Sequence, residues 1–275
     1  MIKSNFINIE GRLFDLSTPK VMGIINVTPD SFYSGSRIDD EKNLCDRVAS
    51  MLQNGADIID IGGCSTRPNA EVVSEEEELS RCLPAISLVR KSFPDVIISV
   101  DTFRSVVARE AANCGAQIIN DISCGLLDDK MFEVVGELKI PYVLSHWLKE
   151  PIECDGDAYM SKMIQMLGAK VTELQKQGVK DIISDPGFGF GKTLEQNFLI
   201  LNNLDKLQIL DLPLLVGVSR KSMIFKTLKT TPDTSLNGTT CLNTIALMKG
   251  ANIIRVHDVK EASEVVQLFL SLRTN

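Results

Sequence analysis

Eight short and almost uninterrupted apolar runs, each set off from the next by an amphipathic segment, constrain this chain more than any other feature. They are VMGIINV (21–27), DIIDI (57–61), VIISV (96–100), AQIIND (116–121), PYVLS (141–145), DIIS (181–184), PLLVG (213–217) and NIIRV (252–256). A strand with one face in water alternates apolar and polar residues, whereas runs without that alternation need cover on both faces, as in a parallel sheet flanked by helices. The segments between them have helical periodicity: Leu44, Val48, Met51 and Leu52 share a face, as do Leu79, Leu83, Ile86 and Val89. NGAD (54–57), CGAQ (114–117) and KGAN (249–252) repeat one stop signal, a glycine at a helix end followed by a turn into a strand. Eight βα units within about 250 residues, with no linker rich in Pro, Gly or Ser, predict a (β/α)₈ TIM barrel in a single domain over 1–275 rather than an open doubly wound sheet. The opening NFINIEGRLFDL alternates around Glu10 and Gly11, which predicts an N-terminal β-hairpin closing the bottom of the barrel.

Composition narrows the partners. A net charge of −7 and the lack of a basic run with interleaved aromatics argue against nucleic acid. The seven cysteines are odd in number and contain no C-x-x-C pair, which fits reduced thiols better than disulfides or a zinc site. The N-terminus lacks a basic region followed by an apolar core, and no run approaches eighteen apolar residues, so membrane insertion is not expected and a cytoplasmic location is. An anion bound by so acidic a chain must be met by a local cluster of cations.

In a barrel the reacting groups stand at the C-terminal ends of the strands. Those ends carry Asn26, Thr66 and Arg67 in GGCSTRP, Asp101, Asn120 and Asp121, Asp185, then Arg220, Lys221 and Ser222 in GVSRKS, and finally Arg255 and His257. Any one acid here can be a helix cap; Asp101, Asp121 and Asp258 each precede a helical pattern. Asn26, Asp101, Asn120 and Asp185 together suit a flat heterocycle rich in donors and acceptors, because burying so many polar groups without partners is costly. Arg67, Lys221, Arg255 and His257 suit an anion, with pyrophosphate a natural occupant. Asp60 is expected to make a buried structural hydrogen bond, His146 to be a satisfied interior histidine, and SEEEE (74–78) to be a solvated helix start.

The stretch DPGFGFGKT (185–193) imitates a phosphate loop but fails its geometry. Counting back from Gly191 puts Pro186 where the first glycine belongs, and proline has neither an N–H nor access to positive φ. The glycines are expected instead to let backbone and Phe190 approach a flat ligand, with Lys192 and Thr193 opening the next helix.

With these residues in place, GIINVTPDSF, DIIDIGGCSTRP, ISVDTFR, IINDIS, SDPGFGFGKT, GVSRKS and IIRVHDV, in this order between residues 23 and 259, closely resemble the dihydropteroate synthase family. The resemblance implies a homodimeric (β/α)₈ barrel, the target of sulfonamides, that joins p-aminobenzoate to 6-hydroxymethyl-7,8-dihydropterin pyrophosphate and releases pyrophosphate. It implies pterin contacts from Asp101, Asn120, Asp185 and Lys221, and pyrophosphate contacts from Asn26, Arg67, Arg255 and His257, with Mg²⁺ near Asn26. Thr66, Arg67, Pro68, Phe190 and Ser222 would frame the p-aminobenzoate site, formed as the loops 28–39 and 64–74 close. The catalytic group it implies is Asn26, Arg67, Lys221, Arg255 and His257.

Two stretches depart from the family's pattern. DSFYSGS places Ser34 where an acid often stands, although Asp30 remains nearby, and HWLKEP replaces an HMxGxP-like stretch after the fifth run. Two alternatives share the pterin set: a pterin-dependent methyltransferase domain, which has no use for the pyrophosphate cations, and a pterin-binding protein without catalysis, favoured only by Ser34.

Overall fold

Each of the eight apolar runs forms a strand in a computed structural model of the chain, which describes residues 5–27, 37–64 (37–39 by backbone alone), 73–153 and 156–273. A hairpin, β1 (Phe6–Ile9) and β2 (Arg12–Asp15), precedes them. The barrel strands are β3 (Lys20–Asn26), β4 (Ile58–Gly62), β5 (Ile97–Asp101), β6 (Ile118–Asp121), β7 (Tyr142–Ser145), β8 (Ile182–Asp185), β9 (Leu215–Val216) and β10 (Ile253–Val256). They pair in parallel in the order β8-β7-β6-β5-β4-β3-β10-β9, and a bridge between Ser184 and Leu214 joins the two ends. β9 is shorter than PLLVG predicts: Pro213 has no N–H to donate, and its carbonyl instead accepts from Ser184 N at 2.8 Å.

The helices between strands are α1 (Arg37–Gln53), α2 (Glu75–Ser92), α3 (Ser105–Asn113), α4 (Met131–Leu138), α5 (Gly156–Lys176) and α6 (Leu194–Asn202). A 3₁₀ segment (Leu204–Leu210) leads to β9, then α7 (Ser222–Thr227) and α8 (Leu236–Met248) precede β10, and α9 (Val259–Arg273) follows it. The predicted helix stops are real: Gly55, Gly115 and Gly250 have φ of 96°, 107° and 97°, a left-handed conformation that glycine adopts without a Cβ penalty. SEEEE is only partly as expected. Ser74 caps α2 by accepting from Glu77 N at 3.2 Å, but Glu78 is fully buried and paired with Arg104, because the first turn of α2 lies against the start of α3 rather than facing water.

Alternation along the strands divides the apolar core in two. Ile59, Ile61, Ile98, Val100, Ile119 and Leu144 pack outward against the helices, while Met22, Ile58, Ile118, Val143, Ile183, Leu215 and Ile253 fill the base of the lumen. Ile7, Ile9 and Leu16 cover that base from below, so the hairpin closes the bottom as predicted. Its two-residue loop has φ of 51° at Glu10 and 82° at Gly11, the double positive φ of a type I′ turn. Asn8 N donates to Asp181 Oδ1 at 3.0 Å and Gln117 Nε2 to Glu10 Oε2 at 2.6 Å, pinning the plug to the barrel.

Candidate active site

Above the apolar base the same inward positions turn polar. Asn26, Gly62, Asp101 and Asn120 are register partners in one row across β3 to β6, and Asp60 and Ser99 form the row beneath. Ser145 and Asp185 are partners across β7 and β8. Arg255 crosses the lumen to this group: its Nε donates to Asp60 Oδ2 and its Nη2 to Asp101 Oδ2, both at 2.6 Å. Asn120 Nδ2 donates to the same Asp60 oxygen at 3.1 Å. The expected buried hydrogen bond of Asp60 is therefore a salt bridge at the centre of the network. Asp60 Oδ1, Asp101 Oδ1, Ser99 Oγ and Ser145 Oγ are buried with no partner among the described residues, which leaves that hydrogen-bonding capacity unused by them.

Burial pushes the Asp101 carboxyl up to about 7; Arg255 opposes the shift, and Asp60, Glu78 and Asp121 add to it. Asp185 is raised by burial too, against Lys221. For Arg255 burial works against the charge, but Asp60 and Asp101 outweigh it and hold the guanidinium charged more firmly than usual. Asp101 and Asp121 are not helix caps: Asp101 serves Arg255, and Asp121 accepts from Ser123 N at 2.7 Å, Gly125 N at 2.9 Å and the Tyr142 hydroxyl at 2.5 Å.

Cations line the side formed by β8 to β10. Arg220 has φ of 55° and forks onto Asp258 at 3.0 and 2.6 Å, tying the turn after β9 to the start of α9. Next to it, Lys221 is drawn down to about 8 by burial, with Asp185 resisting. Its Nζ donates to Phe188 O at 2.5 Å and lies 4.7 Å from the centre of the Phe190 ring. Ser222 opens α7, and His257 stands just beyond β10, where its Nδ1 lies 3.0 Å from Ser219 Oγ. Gly217 leaves the space between Arg255 and Lys221 open, since a Cβ there would lie 3.8 Å from Arg255 Cβ and 3.9 Å from Lys221 Nζ.

The stretch 185–193 forms no phosphate nest. Gly187, Gly189 and Gly191 have φ of 65°, 85° and 58°, and Gly187 and Gly191 press so closely on the exit of β7 that a Cβ would fall 2.1 Å from His146 O and 1.9 Å from Leu148 O. Thr193 caps α6 in a capping box with Gln196. Lys192 does not open that helix outward: it is buried, and its Nζ donates to His146 O, Gly187 O and Phe190 O at 2.8, 2.8 and 2.9 Å. His146 is interior as expected, and its Nδ1 has no partner among the described residues; burial, with Lys192 adding to it, holds the ring neutral with a pKa of about 3.

Asn26, Asp101, Asn120, Asp185, Lys221 and Arg255 thus meet in one lumen, with Phe190, Ser222 and His257 on its rim. Thr66, Arg67, Pro68, Asp30 and Ser34 lie outside the described residues. The two ends of the segment bearing Arg67 are fixed nonetheless: Arg81 Nη1 donates to Gly63 O at 3.0 Å and Arg104 Nη2 to Val73 O at 2.6 Å. Ser99, Ser145 and the inward role of Lys192 were not anticipated. Strand parity could have found the two serines, since VIISV and PYVLS place them on the lumen side.

A family model described as "Pterin binding enzyme" matches residues 22–257. Among similar proteins, dihydropteroate synthases of Haemophilus influenzae and Escherichia coli are 40% and 41% identical, covering 94% and 97% of this chain and 95% and 97% of their own lengths. A solved Yersinia pestis dihydropteroate synthase with a sulfonamide drug complex superposes with a TM-score of 0.90 at 38% identity, covering 98% of this chain and 100% of that one. The Xanthomonas albilineans enzyme with 4-aminobenzoic acid superposes with a TM-score of 0.90 at 33% identity, covering 99% of each chain. The chain belongs to the dihydropteroate synthases, within the family of pterin-binding enzymes.

Proposed function

We propose that this chain forms 7,8-dihydropteroate from p-aminobenzoate and 6-hydroxymethyl-7,8-dihydropterin pyrophosphate, with the pterin ring in the lumen and the pyrophosphate at the rim. The observation that carries this assignment of roles is the buried set Asp101, Asn120 and Asp185, facing Arg255 and Lys221, with an oxygen of Asp101 that has no partner among the described residues. A pterin presents an amino group, ring N–H groups and a carbonyl along its edges. The carboxylate of Asp185 accepts from the donor edge, Lys221 donates to the carbonyl side, and Asp101 and Asn120 meet the opposite edge.

Asn26, Arg67, Arg255 and His257 hold the pyrophosphate. The C–O bond to it breaks with the electron pair leaving on oxygen, and the methylene carbon left behind is stabilised by the electron-rich dihydropterin. The amine of p-aminobenzoate, framed by Thr66, Arg67, Pro68, Phe190 and Ser222, then forms the C–N bond and loses a proton. An aniline nitrogen is unprotonated at neutral pH, so no activating base is required. The protein's work is to neutralise the leaving group and keep water from the cation.

The family implies Mg²⁺. No cluster of three or more His, Cys, Asp or Glu that could hold a metal occurs among the described residues, and Asn26 supplies one carboxamide at the end of β3. That donor set fits a magnesium ion carried in on the pyrophosphate, which takes most of its ligands from phosphate and water. Bound there, it would neutralise charge on the departing pyrophosphate.

A homodimer is part of the same proposal, supported by the packed pair α8 and α9, which exposes Ile245, Met248, Leu268 and Leu272. A cytoplasmic location is supported by the free state of the described cysteines; no described helix is long and apolar enough to cross a membrane. The test is to incubate the protein with the pterin pyrophosphate, Mg²⁺ and p-aminobenzoate and follow both products. Pyrophosphate release that ignores p-aminobenzoate, with no pteroate formed, overturns the proposal. Asp185→Asn should weaken pterin binding about 10- to 100-fold, the worth of a charge-assisted hydrogen bond, while leaving inhibition by inorganic pyrophosphate unchanged.

A further inference from the structure

We infer that Lys192 is a positioning residue for the synthase reaction: its ammonium shapes the 187–190 turn and, through that turn, sets Asp185, Phe190 and Lys221 for the two substrates. This rests on the roles proposed above for those three residues.

The turn is anchored at its middle, where Gly189 N donates to Asn197 Oδ1 at 2.7 Å and the Phe188 ring is buried in the core, but its ends have less to hold them. Two of its four residues are glycines at positive φ, and a single backbone bond, Phe190 N to Gly187 O at 3.2 Å, closes it. Lys192 supplies what the glycines cannot. An ammonium has three donors, and here all three are used, on the first carbonyl of the turn (Gly187), its last (Phe190) and the exit of β7 (His146). Three other groups of the same turn meet the site: Gly187 N donates to Asp185 Oδ1 at 2.7 Å, Phe188 O accepts from Lys221, and the Phe190 ring lies beside the Lys221 ammonium. Moving either end of the turn therefore moves the acceptor, the cation and the aromatic wall together. The arrangement requires the proton on Lys192, because a neutral amine offers two donors to three carbonyls. Burial pulls Lys192 down to about 7, and Asp185 works to keep it charged.

The test is steady-state kinetics of Lys192→Met, which keeps the length of the side chain and removes the donors. The KM for p-aminobenzoate should rise about tenfold or more, as for loss of a charge-assisted contact. Inhibition by inorganic pyrophosphate, held across the mouth, should stay within about twofold of the parent. Lys192→Gln, with two amide donors, should fall between parent and methionine variant, and serves where the methionine variant does not fold. Combined with Phe190→Leu, Lys192→Met should add little to the KM for p-aminobenzoate, because both act through one ring. An unchanged KM, full additivity in the double variant, or an equal weakening of pyrophosphate inhibition overturns the inference. The proposed site fails separately: there, Phe190→Leu alone leaves the KM for p-aminobenzoate untouched.

Discussion

Arg255 holds two buried carboxylates apart in charge, and replacing it with methionine, of similar length and no charge, isolates that task. Its guanidinium lies 2.6 Å from both Asp60 and Asp101, whose side chains are 0% and 4% exposed. Removing one partner of a buried ion pair costs about 3–5 kcal/mol, since the remaining charge stays in a medium that solvates it poorly. The cost depends on pH in a fixed direction. Asp101 in the folded parent has a pKa of about 7, above the ordinary 3.8, so between these values the folded state holds a proton that the unfolded chain has lost. Stability then falls as pH rises through that window, by up to about 1.4 kcal/mol per unit, and levels off above the folded value. In Arg255→Met the upward push of burial loses its chief opponent, so the folded value rises further and the fall continues to higher pH. At pH 5 Asp101 holds its proton in both proteins; the two curves part only above about pH 7, where the parent's fall levels off and the variant's continues at up to about 1.4 kcal/mol per unit. Urea unfolding followed by circular dichroism at both pH values, at one ionic strength, should show the variant losing up to about 1.4 kcal/mol more at pH 8 than at pH 5. Equal losses at the two pH values would refute the claim that Arg255 is chiefly a counter-ion.

Three further perturbations probe the frame. Gly191→Ala should lower stability by more than about 2 kcal/mol and depress turnover, because alanine would need φ of 58° with its Cβ 1.9 Å from Leu148 O; thermal melting and kcat check it. Leu16→Ala, in the plug beneath the lumen, should cost about 2–5 kcal/mol in chemical unfolding yet leave kcat within about twofold, since the site is at the other end of the strands. Arg104→Ala strands the buried Glu78, so a cycle with Glu78→Gln should give a coupling of about 0.5–3 kcal/mol in urea unfolding, and strict additivity would refute the pairing as the reason Glu78 is tolerated inside.

The barrel was legible because its signals are local and repeated. A run such as DIIDI announces a doubly covered strand by what it lacks, and Gly55, Gly115 and Gly250 mark helix ends by a conformation few other residues accept. The hairpin was legible for the same reason, its turn fixed by Glu10 and Gly11. The misjudged details depend on packing between distant segments. Glu78 sits in a run of four glutamates that looks like a solvated helix start, and only the approach of Arg104, 26 residues later, makes it interior. β9 starts late because Pro213 withholds an N–H at the point where the barrel closes.

The site divides along the same line. Asn26, Asp101, Asn120, Asp185, Lys221 and Arg255 could be named from strand ends alone, since the end of a barrel strand has one mouth to face. Their mutual charge could not. Arg255 looks from sequence like a cation awaiting an anion, but two of its donors are taken by Asp60 and Asp101. It can serve the proposed pyrophosphate only with what the carboxylates leave, so its grip on that ligand is tied to the protonation of Asp101. Lys192 shows the converse: within a false phosphate motif its charge promised a ligand, and the fold spends it on three carbonyls of its own backbone. Sequence position tells which element a charge stands on; which opposing charges and dipoles claim it is set by residues up to 195 positions away, as between Arg255 and Asp60.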